Sequence, residues 1–160
     1  MSTKSGWMEK RQHERVVATL KIQYRLFEEG DAKKILKDAS YKETTIDQLS
    51  SLSKNSTLYH AVTRDISLGG MALIGEHPFP IGAVVEVGLQ LPHYKTVLKF
   101  AAEVVRSDSF VEMQRTMHRA GLKILAINRG DMDHISRFLH IKKLHQELKD
   151  DLQNLQKEKP

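Results

Sequence analysis

The sequence predicts a mostly β fold: a six-stranded antiparallel β-barrel with a helical insertion after the first strand and a C-terminal α-helix. Short runs of β-branched and aromatic residues, punctuated by glycine and proline, are typical of a barrel or a sandwich. A barrel is favoured because a closed sheet has no free edges to aggregate. We expect a barrel domain over residues 1–130, interrupted by an insertion at 28–58, and a helix over residues 131–160.

The first predicted strand covers residues 16–27. Apolar and polar residues alternate from Leu20 onward, which places Leu20, Ile22, Tyr24 and Leu26 on one face. Residues 61–66 and 71–74 then predict two strands joined by a tight turn at Gly69-Gly70.

Three further strands are predicted over residues 84–91, 96–106 and 120–126. Pro80, Gly82 and Pro92 mark the turns that separate them. With the three strands before them, they make the six strands of the barrel.

The polar connection at residues 28–58 is too long for a structureless loop within a compact domain. Its few apolar residues predict two short helices, one around Ile35-Leu36 and one around Ile46, Leu49 and Leu52. Thr45 suits the N-cap of the second helix.

The last segment changes to helical periodicity. Its apolar residues recur mainly at steps of three and four: Ile135, Phe138, Leu139, Leu144, Leu148, Leu152 and Leu155. The first half is expected to pack on the barrel. The second half either forms a seam with a protein partner or a second copy, or is a solvated, fraying tail.

The chain of 160 residues has a formal charge of +5, which favours anionic partners. It has no cysteine, which excludes disulfides and thiolate chemistry. No apolar leader or membrane-spanning run occurs, so we expect a soluble cytoplasmic protein without a membrane span. Recognisable catalytic motifs are missing from the sequence and its eight histidines are scattered. We therefore expect no enzyme activity, no catalytic residue, no cofactor and no metal site.

Two short motifs carry the functional prediction. Arg11-x-x-x-Arg15 lies directly before the first strand, and Asp65-x-Ser67-x-x-Gly70 begins the hairpin. Together, in this order, they resemble the RxxxR and D/N-x-S-x-x-G signatures of the PilZ domain family over roughly residues 8–128. The insertion at 28–58 is longer than expected for that family.

The resemblance implies a six-stranded barrel that binds cyclic di-GMP and changes its conformation or partner contacts when the ligand binds. A second RxxxR, Arg115 to Arg119, has no comparable setting, so the spacing alone is weak support.

The residue types suit that ligand. Arg11 and Arg15 can bind phosphate or the guanine O6/N7 edge through two parallel hydrogen bonds. Asp65 can accept hydrogen bonds from guanine N1–H and N2–H, and the Ser67 hydroxyl can donate to base or phosphate. The alternative is that Asp65 and Ser67 only stabilise their own turn through Asx-type hydrogen bonds, while the glycines Gly69 and Gly70 fix its geometry.

The remaining site residues have supporting roles. Gly69 and Gly70 are expected to permit a positive φ and close approach of the ligand to the backbone. Arg106 is a secondary candidate for stacking on guanine, and Lys10 for attracting phosphate. The alternatives are that Arg106 is a solvated arginine at the end of a strand and that Lys10 is a solvated surface charge.

Two other functions stay open. The first alternative is a PilZ-fold protein-interaction module without a ligand. The second is a basic barrel that binds single-stranded nucleic acid. The latter is disfavoured by an aromatic content of only 6%. We expect cyclic di-GMP, and no nucleic-acid polymer, as the ligand.

Overall fold

A computed structural model of the chain describes residues 14–37, 54 and 57–157. Within these residues it contains seven strands: β1 (Val16–Val17), β2 (Lys21–Leu26), β3 (Tyr59–Ile66), β4 (Gly70–Gly75), β5 (Val84–Leu89), β6 (Leu98–Glu112) and β7 (Arg115–Ala126). Two helices accompany them: α1 (Glu29–Lys37) and α2 (Arg129–Lys157).

Six of the strands close into an antiparallel barrel. Neighbours pair in the order β3-β2-β5-β6-β7-β4, and the β3–β4 pairing closes the ring. The seventh strand, β1, is a short extra strand on β3. The predicted six-stranded barrel is confirmed, together with a helix after the first strand and a C-terminal helix.

The barrel interior is filled by the alternating apolar residues of the strands. Leu20, Ile22 and Tyr24 are buried, as their period of two predicts. The largest fully buried side chains of the barrel are Phe100, Ile22, Ile66, Met71, Leu73, Leu89 and Leu98.

The strand expected at residues 16–27 is interrupted between β1 and β2, although both pieces pair with β3. Thr63, which is 1% exposed, lies at this break. Its hydroxyl donates to the Ala18 carbonyl at 2.7 Å and accepts from the Leu20 N–H at 2.8 Å. The side chain thus satisfies the backbone groups where the ladder breaks.

The insertion begins with α1, where the sequence predicted a helix. Ile35 is 2% exposed and packs in a second apolar cluster with Phe27, Val84, Ala101 and Ala126. The second helix predicted in the insertion, around Ile46, Leu49 and Leu52, lies outside the described residues.

The prediction that a strand ends at Arg106 is wrong, because β6 continues to Glu112 and β7 already begins at Arg115. Two residues with positive φ, Met113 at 50° and Gln114 at 65°, turn the chain between them. Most side chains of this extension are exposed, so it lacks the apolar alternation that marks a strand in the sequence.

The C-terminal helix α2 starts two residues before the predicted boundary. The Asn128 side chain caps it by accepting from the Asp131 N–H at 2.8 Å. Ile135 and Leu139 are buried against the barrel, whereas every residue from 140 to 157 is exposed. Neither described helix is long and apolar enough to cross a membrane.

Candidate functional site

The two sequence motifs meet at one end of the β3–β4 hairpin. Arg15 Nη1 donates to Asp65 Oδ1 at 2.8 Å, which joins residues 50 positions apart. The pairing of Val17 with Asp65 brings the segment before β1 alongside the hairpin. The side chain of Arg15 is 41% exposed and that of Asp65 is 21% exposed, so both remain accessible.

Asp65 begins a row of residues on the outer face of the barrel. It lies opposite Ala72 of β4, Ala72 lies opposite Gly121 of β7, and Gly121 lies opposite Arg106 of β6. Strands are spaced by roughly 4.8 Å, so the row spans about 14 Å between its end Cα atoms. Its two middle residues, Ala72 and Gly121, have the smallest side chains. They form a shallow floor between Asp65 at one end and Arg106 at the other.

Two β-bulges aim the ends of this row outward. The register of β3 shifts between Thr63 and Asp65, and that of β6 shifts between Val104 and Arg106. In each strand the residue before the shift points into the barrel and the residue after it faces out, with one extra residue between them. In β3 that extra residue is Arg64.

Arg106 lies flat across the neighbouring strand. A Cβ placed on Gly121 would be 2.9 Å from Arg106 Nε and 3.2 Å from Nη2. The missing side chain of Gly121 therefore provides the space that the guanidinium occupies. Arg106 is part of the outer face of a continuing strand rather than a solvated strand end.

A groove of about 550 Å³ opens over this floor. Its polar lining comes from Arg64, Arg106, Ser107, Asp108 and Arg119. Arg119 donates to Asp108 at 2.8 and 3.4 Å, which neutralises one arginine at the far side of the groove.

The Ser67 hydroxyl holds the hairpin turn. Ser67 is 6% exposed. Its Oγ donates to the Gly70 carbonyl and accepts from the N–H groups of Gly69 and Gly70, each at 3.2 Å. These three contacts use the hydroxyl fully, so in this structure Ser67 shapes the turn from within.

The need for glycine at position 70 is steric. Its φ is not in the left-handed region, contrary to the expectation, and a Cβ there would lie 2.0 Å from the Leu122 carbonyl oxygen. The backbone that approaches Gly70 closely is that of β7. Gly69 in turn accepts a hydrogen bond from the Ile124 N–H at 2.9 Å.

A second, basic groove of about 350 Å³ lies between the segment before β1 and helix α2. Lys142, Lys143 and Lys149 line it on the helix side, and Arg15 on the other. Lys143 donates to Glu14 Oε2 at 2.8 Å. The hydrogen bond and the charge of Glu14 raise the pKa of Lys143.

Of the site residues expected from the sequence, the structure brings Arg15, Asp65, Ser67, Gly69 and Gly70 together, with Arg106 at the other end of the row. Lys10 and Arg11 lie outside the described residues. In the described part of the chain, no group of three or more acidic or histidine residues could hold a metal ion.

Sequence reasoning did not single out Arg64 or the three lysines of α2 that line the second groove, Lys142, Lys143 and Lys149. Arg64 directly precedes the Asp65 motif, but two successive strand residues normally point to opposite faces. Arg64 and Asp65 both face outward only because of the β-bulge in β3. The signal for the lysines was their spacing, since residues 142 and 149 are two helical turns apart and share a face.

The fold agrees with comparisons to known proteins. Residues 9–140 match the family model described as PilZ domain. No curated relative matches the chain.

The structures of three solved proteins resemble this fold. The inhibitor of motility MotI/DgrA of Bacillus subtilis has a TM-score of 0.57 and 16% identity, over 85% of this chain and 52% of that one. The PilZ domain of Escherichia coli YcgR, solved with c-di-GMP, has a TM-score of 0.55 and 14% identity, over 89% of this chain and 98% of that domain. MrkH of K. pneumonia in its apo state has a TM-score of 0.55 and 15% identity, over 80% of this chain and 49% of that one.

The chain spans about half the length of MotI/DgrA and MrkH, so its likeness to them is that of one domain of each. The match of the family model extends from before β1 into α2 and includes both motifs. The chain belongs to the PilZ domain family.

Proposed function

We propose that this chain is a cyclic di-GMP receptor, and that the ligand binds on the outer face of the barrel between Arg15 and Arg106. The observation that carries the proposal is the Arg15–Asp65 contact, because it joins the two family motifs at the edge of an open, arginine-lined groove. The c-di-GMP bound to the PilZ domain of YcgR supports the choice of ligand.

The charges of the site suit a doubly anionic ligand with two guanine bases. Arg64 and Arg106 line the groove over the small floor of Ala72 and Gly121, and Arg15 contacts Asp65 at the end of the same row. A guanidinium binds a phosphate or the guanine O6/N7 edge through two hydrogen bonds, and its flat face stacks on a base. The Arg106 plane over Gly121 is suited to stacking, and Arg15 to phosphate. Arg11 would add a second phosphate contact and Lys10 a longer-range attraction.

Binding of the ligand would replace the contact between Arg15 and Asp65 with contacts from each of these residues to the ligand. In this structure Arg15 and Asp65 form an ion pair with each other, and an exposed pair of this kind contributes only about 0–1 kcal/mol. Arg15 can therefore turn to a phosphate, while Asp65 accepts from guanine N1–H and N2–H. Ser67 and the two glycines would act by holding the turn that positions Asp65.

The lysines of α2 give the same site a positive surrounding. Lys142, Lys143 and Lys149 lie beside Arg15 and the segment that precedes β1. A ligand that reorders Arg15 also changes the contacts of Glu14, which binds Lys143. Such a rearrangement would carry the signal from the barrel to the helix, as expected of a receptor rather than an enzyme.

Isothermal titration calorimetry with cyclic di-GMP tests the proposal. We expect saturable binding, and an at least tenfold weaker affinity for Arg15→Ala, since a charge-assisted hydrogen bond contributes roughly 1.5–3 kcal/mol. Arg115→Ala is the matched control: Arg115 also belongs to an RxxxR sequence and pairs with an acid, Glu76, but lies at the tip of the β6–β7 hairpin.

Three results would contradict the proposal. One is the absence of binding to the intact chain, which would favour an interaction module without a ligand. Another is equal weakening by the Arg15 and Arg115 substitutions. The third is binding of a single-stranded oligonucleotide in preference to the dinucleotide, with a steep dependence on salt.

A further inference from the structure

The second half of α2 carries an apolar stripe that the barrel does not cover. Its residues are large and exposed: Ile141 46%, Leu144 44%, Leu148 60%, Leu152 61% and Leu155 59%. Most helices in proteins gain their stability by packing an apolar face rather than from helix propensity. A partner on this stripe would supply that packing.

The spacing of the stripe is regular. Ile141 and Leu152 are eleven residues apart, as are Leu144 and Leu155, and Leu148 lies between them. An eleven-residue repeat has 3.67 residues per turn, close to the α-helix, so the stripe stays on one side without drifting. At 100° per residue, its members lie within about 40° of the direction of Leu148.

Most of the stripe faces away from the barrel; Ile141, its first residue, also lines a groove with Leu91 and Tyr94. Ile135 and Leu139, the buried residues of α2, point about 140° and 180° from the direction of Leu148. A second helix on the stripe would therefore meet the side of α2 opposite the barrel. Two copies of the whole chain can approach each other there with their barrels on the outside.

The charges beside the stripe differ between its two sides. Lys142, His145 and Lys149 flank one side, while Glu147 and Asp151 flank the other. In a parallel two-fold pair, the basic flank of each helix lies beside the acidic flank of its partner. In an antiparallel two-fold pair, like flanks meet, which places Lys149 near a second Lys149 and Asp151 near an acidic neighbour.

We propose that this stripe is a self-association surface, on which two copies of the chain pair through α2 as a parallel, nearly straight coiled coil. The apolar repeat provides the interface and the asymmetric flanks select the parallel orientation. The inference does not depend on the ligand proposed above.

Association is tested by sedimentation equilibrium of the full chain, which has a mass of 18.3 kDa. We expect a concentration-dependent mass of two copies. Combined Leu148→Ala and Leu152→Ala should weaken the dimer at least tenfold, whereas Gln153→Ala, which faces away from the stripe, should leave it unchanged. A single-copy mass at every concentration, or equal effects of the two sets of substitutions, would overturn the proposal.

The relative orientation of the two helices is tested by disulfide cross-linking. Because the chain has no cysteine, any disulfide must form between the introduced residues. In the parallel pair, Leu155→Cys residues of two copies lie side by side and form a disulfide under mild oxidation. In an antiparallel pair centred on Leu148, position 155 lies opposite 141. A disulfide that forms only between Leu155→Cys and Ile141→Cys chains would therefore refute the parallel arrangement.

The charged flanks provide a matched pair of variants. Asp151→Lys removes an acid beside the stripe and should weaken the dimer several-fold in low salt. Asp150→Lys makes the same change one residue away, on the far side of the helix, and should not. Equal dissociation constants for the two variants would show that the flanks do not select the orientation.

Discussion

Replacing Gly70 with alanine should strongly destabilise the barrel. The new Cβ would lie 2.0 Å from the Leu122 carbonyl oxygen, whereas a normal contact needs more than 3 Å. The obstacle is backbone of a paired strand, because Gly70, the first residue of β4, is the partner of Lys123 in the β4–β7 ladder. Relief of about 1 Å therefore requires the two strands to separate at this point, since no side chain can rotate away.

The expected cost is roughly 2–4 kcal/mol, the upper range for overpacking with a backbone shift. For a domain of this size, each kcal/mol lowers Tm by about 2–4 °C, so we expect a decrease of roughly 5–15 °C. Thermal unfolding followed by circular dichroism measures this change.

Gly30→Ala is the matched control for that experiment. Gly30 lies in α1 and nothing lies within 4 Å of the position of its Cβ. Alanine there should stabilise the chain by up to about 1 kcal/mol, because glycine is a poor helix former. The steric reasoning would be refuted if the Tm of the Gly70 variant lay within about 2 °C of that of the parent chain. It would also be refuted if only the Gly30 variant were less stable than the parent.

Two further substitutions probe the site and its scaffold. Gly121→Ala should displace the guanidinium of Arg106, which is a flexible group, so we expect little change in Tm. Calorimetry should show dinucleotide binding weakened about fivefold or more. An unchanged affinity would exclude Arg106 from the site. Thr63→Val should cost roughly 2–4 kcal/mol in urea unfolding, because it leaves two buried backbone groups without partners, whereas Thr116→Val on the exposed hairpin should cost little.

The barrel could be predicted from the sequence because its strands obey a period of two. Leu20, Ile22 and Tyr24 alternate with polar residues because one face is buried and the other is solvated. The same rule failed for the end of β6. Beyond Arg106 most side chains are exposed, and the turn at Met113-Gln114 lacks the glycine or asparagine that usually marks a hairpin.

The pairing of the two motifs could be anticipated, but the shape of the floor between Asp65 and Arg106 could not. That floor depends on cross-strand register and on two bulges, which are properties of neighbouring strands rather than of any one segment. Gly121 shows this most clearly, since its role is visible only when Arg106 is seen lying on it. That Ser67 and the glycines hold their own turn was one of the alternatives that the sequence left open, and the hydrogen bonds of Ser67 support it.

The interruption between β1 and β2 has a mechanical consequence. The hydroxyl of Thr63 holds the chain on both sides of the break, and only Val16–Val17 continues the ladder beyond it. Peeling that pair of residues off β3 would leave the six barrel strands joined to one another. The segment that carries Arg15 can thus rearrange around a ligand while the six barrel strands keep their pairing. Thr63 marks the point at which this segment and the barrel separate.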